Sequence, residues 1–198
     1  MKTTIFSLAA LSLMAMLVIN IGTSMSDSER GYSHEEDDDD DRWEHMMRSS
    51  TGVAAQSNPV YKEECGSCHM AYSPGLLPSG SWRRMMAGLA DHFGDNAELD
   101  EVTTQQISDF LTSNAADKSD YRRSRQMMAA SRSTTGQAAM RITENPYFKR
   151  EHNEIPARVM RQSGVASLSH CNACHQRAEQ GSFNEHEIWI KGVGRWDD

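Results

Sequence analysis

The sequence predicts a mainly α fold of short helices, with little or no β structure, packed around bound groups rather than around a large core of side chains. Three observations carry this reading. Only 38% of the residues are hydrophobic and 7% aromatic, and the mean hydropathy is −0.65. A chain of 198 residues so composed has little apolar surface with which to offset the entropy of ordering itself. After Ser81, the residues Trp82, Met85, Met86, Leu89, His92 and Phe93 recur at i, i+3, i+4, i+7 spacing, which marks an amphipathic helix. No β-rich alternating stretch precedes either of the chain's two cysteine pairs. The length itself favours one domain or two small ones.

The amino terminus reads as an export signal over residues 1–24. Lys2 gives the positive start, an apolar run from Ile5 to Ile21 is broken only by Ser7, Ser12 and Asn20, and Gly22-Thr23-Ser24 offers a cleavage site. The run covers 17 positions, the lower limit for a membrane-spanning helix, so an uncleaved anchor is the alternative. No second apolar stretch of spanning length follows, and the rest of the chain is expected in the periplasm. Residues 25–50 are expected to be an acidic, disordered tail. Glu35 to Asp41 is an unbroken run of seven carboxylates whose mutual repulsion keeps the backbone extended. It is a solvated spacer, or a docking tail that steers a basic partner. His34 and His45 flank it and offer only a weak case for metal capture. From Arg42 onward there are 18 basic and 19 acidic residues, a net charge of −1. No nucleic-acid partner is expected from so neutral a surface.

The functional domain is expected over 51–198, and its four cysteines define it. They fall in Cys65-Gly66-Ser67-Cys68-His69 and Cys171-Asn172-Ala173-Cys174-His175, two C-x-x-C-H motifs of the kind that attaches c-type haem. On a helical turn, residues i, i+3 and i+4 share a face. Two thiols three apart can therefore add to the vinyl groups along one edge of the macrocycle, and the next histidine can reach the iron beneath it. The rival readings fit less well. Paired disulfides suit an exported protein, but leave the two histidines unexplained. A zinc site would close over about 15–20 residues, whereas 102 separate Cys68 from Cys171. A thioredoxin-like pair needs a βαβ context. The expected cofactors are thus two haem c groups held by Cys65, Cys68, Cys171 and Cys174, with His69 and His175 as proximal iron ligands. The short helices then pack around these two covalently bound haems, and two haem-binding lobes are one arrangement the spacing allows.

Each iron needs a second axial ligand. His92 lies beside the apolar face of its helix and His152 in a loop before Pro156, a residue that disfavours helix just ahead of it. His92 follows His69 by 23 positions, and His152 precedes His175 by 23. This mirror spacing suggests that each haem is closed by a histidine from the segment joining the two motifs. It leaves open which histidine serves which iron, and the expected pairing is His92 with the Cys65/Cys68 haem and His152 with the Cys171/Cys174 haem. His186 is the reserve. His170 sits too close to Cys171 to reach the far face of that haem, Met70 directly follows a proximal histidine, and the methionine pairs 85/86 and 127/128 read as core filler. Helices are expected near 81–93, 104–114, 119–130, 157–163 and 170–180, the last ended by Gly181.

The segments Glu64-Cys65-Gly66-Ser67-Cys68-His69-Met70-Ala71-Tyr72, Leu76-Leu77-Pro78, Ser81-Trp82 and Asp91-His92-Phe93-Gly94 resemble the dihaem cytochrome c (DHC) family. So do Arg141-Ile142-Thr143-Glu144, Lys149-Arg150-Glu151-His152, the second haem motif and Ala178-Glu179-Gln180-Gly181-Ser182-Phe183. The resemblance covers about residues 58 to 190. It implies a mostly helical protein with two bis-histidine haems, His69, His92, His152 and His175 serving as the four axial ligands. It also implies a periplasmic electron-transfer shuttle with no catalytic residues. The implied partners are redox proteins: other cytochromes, including a small monohaem cytochrome or a membrane b-type cytochrome. The membrane itself is a partner only if the N-terminal segment stays uncleaved. The acidic tail and the ending Trp189-Ile190-Lys191-Gly192-Val193-Gly194 depart from the family pattern. Two other roles stay open: an electron-transfer subunit of a periplasmic reductase, or a haem enzyme of the dihaem peroxidase or thiosulfate-oxidising type.

Overall fold

A computed structural model describes residues 52–132 and 136–196; the expected export signal and acidic tail lie outside them. Among the described residues there are six α-helices, several single 3-10 turns and one two-stranded sheet. No helix among them is long and apolar enough to cross a membrane. The described chain is mainly α, as expected.

Local chemistry starts each helix. Helix α1 (Pro59–Cys65) begins with proline in its first turn, and the Asn58 side chain accepts the Tyr61 N–H at 2.9 Å. Helix α2 (Ser79–Met86) follows Pro78 and buries Ser81, Trp82 and Met86. Its first turn is held by Asp117, which accepts the Ser79 N–H at 2.6 Å and the Ser79 hydroxyl at 2.8 Å. Helix α3 (Glu101–Ser113) is capped by Asp100, which accepts the Thr103 N–H at 3.0 Å, and buries Ile107 and Leu111. Helix α4 (Arg122–Arg132) carries a narrow buried stripe of Ser124, Met127 and Ser131. Helix α5 (Pro146–Glu151) is capped by Asn145. That side chain is 1% exposed and also donates to the Met127 carbonyl and to Ser131 Oγ, tying α5 to α4. Helix α6 (Ala157–Met160) is a single turn after Pro156.

Two apolar clusters result. The larger gathers Tyr61, Leu77, Trp82, Ile107, Leu111, Met127 and Phe148 with Cys171. The smaller joins Val159, Val165 and Ile190, with Cys174 and Trp196 packed against it. Strands β1 (Trp189–Ile190) and β2 (Gly194–Arg195) form an antiparallel hairpin that lays Trp189 over the second motif, donating its N–H to the Cys174 carbonyl at 3.0 Å.

The expected helices differ from the observed ones in instructive ways. The periodic stretch 81–93 is helical only to Met86; after Ala87-Gly88 it becomes a 3-10 turn, Leu89–Asp91. The 104–114 helix starts earlier, at Glu101, because Asp100 caps it. The helix expected at 119–130 runs Arg122–Arg132, and that at 157–163 is only Ala157–Met160. The 170–180 segment is not one helix. It is two 3-10 turns, Cys171–Ala173 and Ala178–Gln180, because the Cys174 carbonyl between them accepts the Trp189 N–H and His175 pairs with Ile188 as an isolated bridge. Gly181 does end it, at φ 80°.

Candidate functional site

The first motif sits where α1 stops. Cys65 is the last helical residue, half-buried, and the chain turns at Gly66 to expose Cys68 and bring back His69. His69 Nδ1 lies 2.8 Å from the Met70 carbonyl oxygen. A carbonyl only accepts, so Nδ1 carries the proton and the Nε2 lone pair is left for another partner. His92 reaches the same place from a tight turn. The His92 N–H donates to the Asp95 carbonyl at 2.7 Å, and the two residues between them, Phe93 and Gly94, stand at φ 60° and 107°. Asp91 clamps the turn by accepting the Gly94 N–H at 2.9 Å. Positive φ is uncommon for phenylalanine and costs on the order of 1 kcal/mol. Phe93 is 39% exposed, with the Arg141 guanidinium 3.8 Å from its ring centroid. Burial, then His69 and Arg141, press the His92 pKa below the ordinary imidazole range, so the ring is held neutral.

The second motif is more enclosed. Cys171 is buried and Cys174 half-buried. His175 pairs with Ile188 through the backbone and meets the Phe183 ring edge-on at 5.2 Å. Its Nδ1 is buried with no hydrogen-bond partner, a state that costs about 1–3 kcal/mol unless something else engages the ring. Burial, then His152 and Arg123, push its pKa down to about 4. His152 closes α5, its ring stacked on Phe148 at 3.9 Å and its Nδ1 donating to the Phe148 carbonyl at 2.8 Å. A cavity of about 290 Å³ lies here, lined by Cys171, Cys174, His152, His175, Arg123 and Phe183 among others.

The histidines therefore face each other in two pairs. The His69 and His92 ring centroids are 6.2 Å apart, and so are those of His152 and His175. Two metal–imidazole bonds of about 2 Å and two ring radii of about 1.1 Å span about 6.2 Å, so one iron fits between the rings of each pair. Among the described residues no group of three or more histidine, cysteine or carboxylate side chains gathers to hold a free metal ion. A zinc site would need that number; a haem iron, already bound by four porphyrin nitrogens, needs only two. None of the four cysteines is paired in a disulfide. Burial raises the Cys65 and Cys171 thiols to about 11 and lifts Cys174 too, so they stand as neutral groups against apolar surroundings. Of the other histidines, His186 is exposed on the 3-10 turn Glu185–Glu187, and His170 Nδ1 donates to the Val165 carbonyl at 3.0 Å beside the cavity.

A family model, dihaem cytochrome c, matches residues 61–183. The chain belongs to the dihaem cytochrome c family. As a member, this cytochrome carries two c-type haems. It is 41% identical to the dihaem cytochrome c of Shewanella baltica OS155, with 71% of this chain and 98% of that chain covered and a TM-score of 0.58. It is 39% identical to a dihaem cytochrome c from Rhodobacter sphaeroides, covering 66% of this chain and 100% of that one, with a TM-score of 0.57. No curated protein matches the sequence. The family match ends at Phe183, so the β1–β2 hairpin of this cytochrome lies beyond it. Sequence reasoning missed Arg123, whose guanidinium binds the Tyr147 hydroxyl and the Phe183 carbonyl beside the second site. An arginine inside a basic run, Arg122-Arg123-Ser124-Arg125, gives no sign of which member turns inward.

Proposed function

We propose that this cytochrome is an electron carrier with two bis-histidine haem sites. Cys65 and Cys68 hold one haem by thioether links, with His69 and His92 on its iron. Cys171 and Cys174 hold the other, with His175 and His152. The observation that carries this reading is the 6.2 Å separation in both facing histidine pairs. When bound, each haem supplies one reversible electron at its iron.

The chain's own residues do the rest. The carbonyls of Met70 and Phe148 hold protons on the Nδ1 atoms of His69 and His152 and leave Nε2 to bind. Phe148, Phe183 and the paired imidazoles exclude water from the second site. Two histidines on each iron would leave no coordination site for a substrate, and histidine in place of methionine would keep the potential low. The role is transfer of electrons without bond-making. The expected export signal supports a periplasmic location, and the partners this reading calls for are other redox proteins, among them monohaem and membrane b-type cytochromes.

Spectra of the purified, haem-loaded protein test this. Both irons should be six-coordinate and low-spin, without the near-infrared band of methionine ligation. Rapid binding of carbon monoxide or peroxide would instead mark an open site and a haem enzyme.

A further inference from the structure

Tyr72 stands between the two sites. It follows His69 by three residues, and its ring stacks on the His69 imidazole with centroids 4.8 Å apart and planes 23° from parallel. Its hydroxyl donates to the Ser169 carbonyl at 2.8 Å, a contact spanning 97 positions of sequence. The same carbonyl faces the Cys171 Sγ at 3.7 Å. Tyr72 is itself fixed from behind, since its carbonyl accepts the hydroxyl of Tyr61, a buried residue of α1. The receiving loop is braced too: the Ser167 and Ser169 hydroxyls pair at 2.9 Å, and the Ser169 N–H donates to Ser167 Oγ at 3.2 Å. One side chain thus touches the proximal histidine of the first motif and the backbone two residues before the first cysteine of the second.

We propose that Tyr72 is the positioning residue that couples the two haem sites, setting their relative placement and bridging them with a ring, a hydrogen bond and a short stretch of backbone. This rests on the dihaem reading above. In the exchange it supports, one iron loses an electron and the other gains it. Tyr72 stays neutral and closed-shell, and no proton moves.

The test uses the full haem-loaded chain with Tyr72→Phe, which keeps the stack and loses the hydrogen bond, and Tyr72→Leu, which loses both. Internal electron exchange is followed after rapid one-electron reduction, and magnetic coupling between the two ferric irons is read by paramagnetic resonance. Exchange should be slower in both variants than in the parent, and slower in Tyr72→Leu than in Tyr72→Phe. Coupling should weaken while haem content and low-spin spectra stay as in the parent. The near-isosteric phenylalanine variant keeps the test decisive if the leucine variant fails to fold. Lower thermal stability with parental exchange and coupling would reduce Tyr72 to a structural prop and overturn the inference. A parent protein lacking two low-spin haems would instead sink the dihaem reading itself.

Discussion

Replacing Arg123 should lower the reduction potential of the second haem and leave the first nearly unchanged. The guanidinium lies 5.8 Å from the Phe183 ring, which is 5.2 Å from the His175 ring. An iron held by that imidazole is therefore within roughly 10–14 Å of a fixed positive charge. At an effective dielectric constant of about 20, a unit charge at that range is worth about 1.2–1.7 kcal/mol. Its sign is already visible in the protein, since Arg123 opposes the charged forms of both His152 and His175 after the larger effect of burial. The same charge disfavours ferric over ferrous iron and so raises the potential. At about 59 mV per factor of ten, itself about 1.36 kcal/mol, its removal should lower one midpoint by roughly 50–70 mV. Arg123→Gln removes the charge, whereas Arg123→Lys keeps it at the cost of the bonds to Tyr147 and Phe183. Spectroelectrochemical titration at low ionic strength separates the two effects. If the lysine variant falls as far as the glutamine variant, packing rather than charge sets the potential and the Coulomb argument fails.

Four further outcomes follow from named contacts. His92→Met and His152→Met should each raise one midpoint and change one iron's spectrum, because methionine ligation favours the reduced iron; a variant that alters both or neither removes that histidine from its assigned site. The His69 and His92 planes are 24° from parallel and those of His152 and His175 are 70° apart. Near-parallel imidazoles separate the iron orbitals that share the unpaired electron and crossed ones leave them close, so paramagnetic resonance of the oxidised protein should show one rhombic and one strongly anisotropic signal. Gly94→Ala should cost about 1 kcal/mol, since that residue stands at φ 107° with open space around it. Gly181→Ala should cost more than about 2 kcal/mol, because a Cβ there would sit 2.3 Å from the Val53 carbonyl; equal losses in denaturant melts would contradict the difference. Asp117→Asn should destabilise by about 1 kcal/mol at neutral pH. Burial would raise the Asp117 carboxyl, but the two bonds from Ser79 outweigh it and hold the folded value below 3.8. Its contribution is therefore present above that pH and is lost as pH falls through the lower folded value, so the melts of parent and variant should converge in acid.

The sequence makes this molecule legible wherever chemistry is written in consecutive residues. The two C-x-x-C-H motifs and the stop at Gly181 are each local signals with a direct physical cause. Periodicity misled where the backbone had other partners. His92 fits the helical rhythm from Trp82, yet it leaves the helix because Asp91 and Gly94 build a turn, whose clue was the Asp-His-Phe-Gly order rather than the spacing of apolar residues. The 170–180 segment reads as helix by composition, but Trp189 returns from later in the chain to donate to the Cys174 carbonyl, a contact no local window contains. Helices α1 and α5 are short enough that only their Asn-Pro starts mark them. Arg123 and the Tyr72–Ser169 bond depend wholly on long-range folding and left no trace in the order of residues.

The two halves of the site are built unequally, and the inequality has a direction. His92 stands on a turn beside the exposed Phe93, where water can approach and Arg141 lies over the Phe93 ring. His175 and His152 stand in a cavity roofed by Phe148 and Phe183, with a guanidinium inside. A positive charge raises the potential and so does exclusion of water, because a low-dielectric site disfavours the ferric centre's extra charge. Both effects are stronger at the second haem: burial with its neighbours takes the His175 pKa to about 4 and Arg123 bonds beside it, whereas His92 is less enclosed and feels Arg141 only across Phe93. Electrons that enter at the His92 edge would therefore run downhill to the enclosed site, and Tyr72 lies on the path between them. Were the two midpoints to prove equal, or the His69/His92 haem the higher, charge and burial at the second site could not be what governs this protein's potentials.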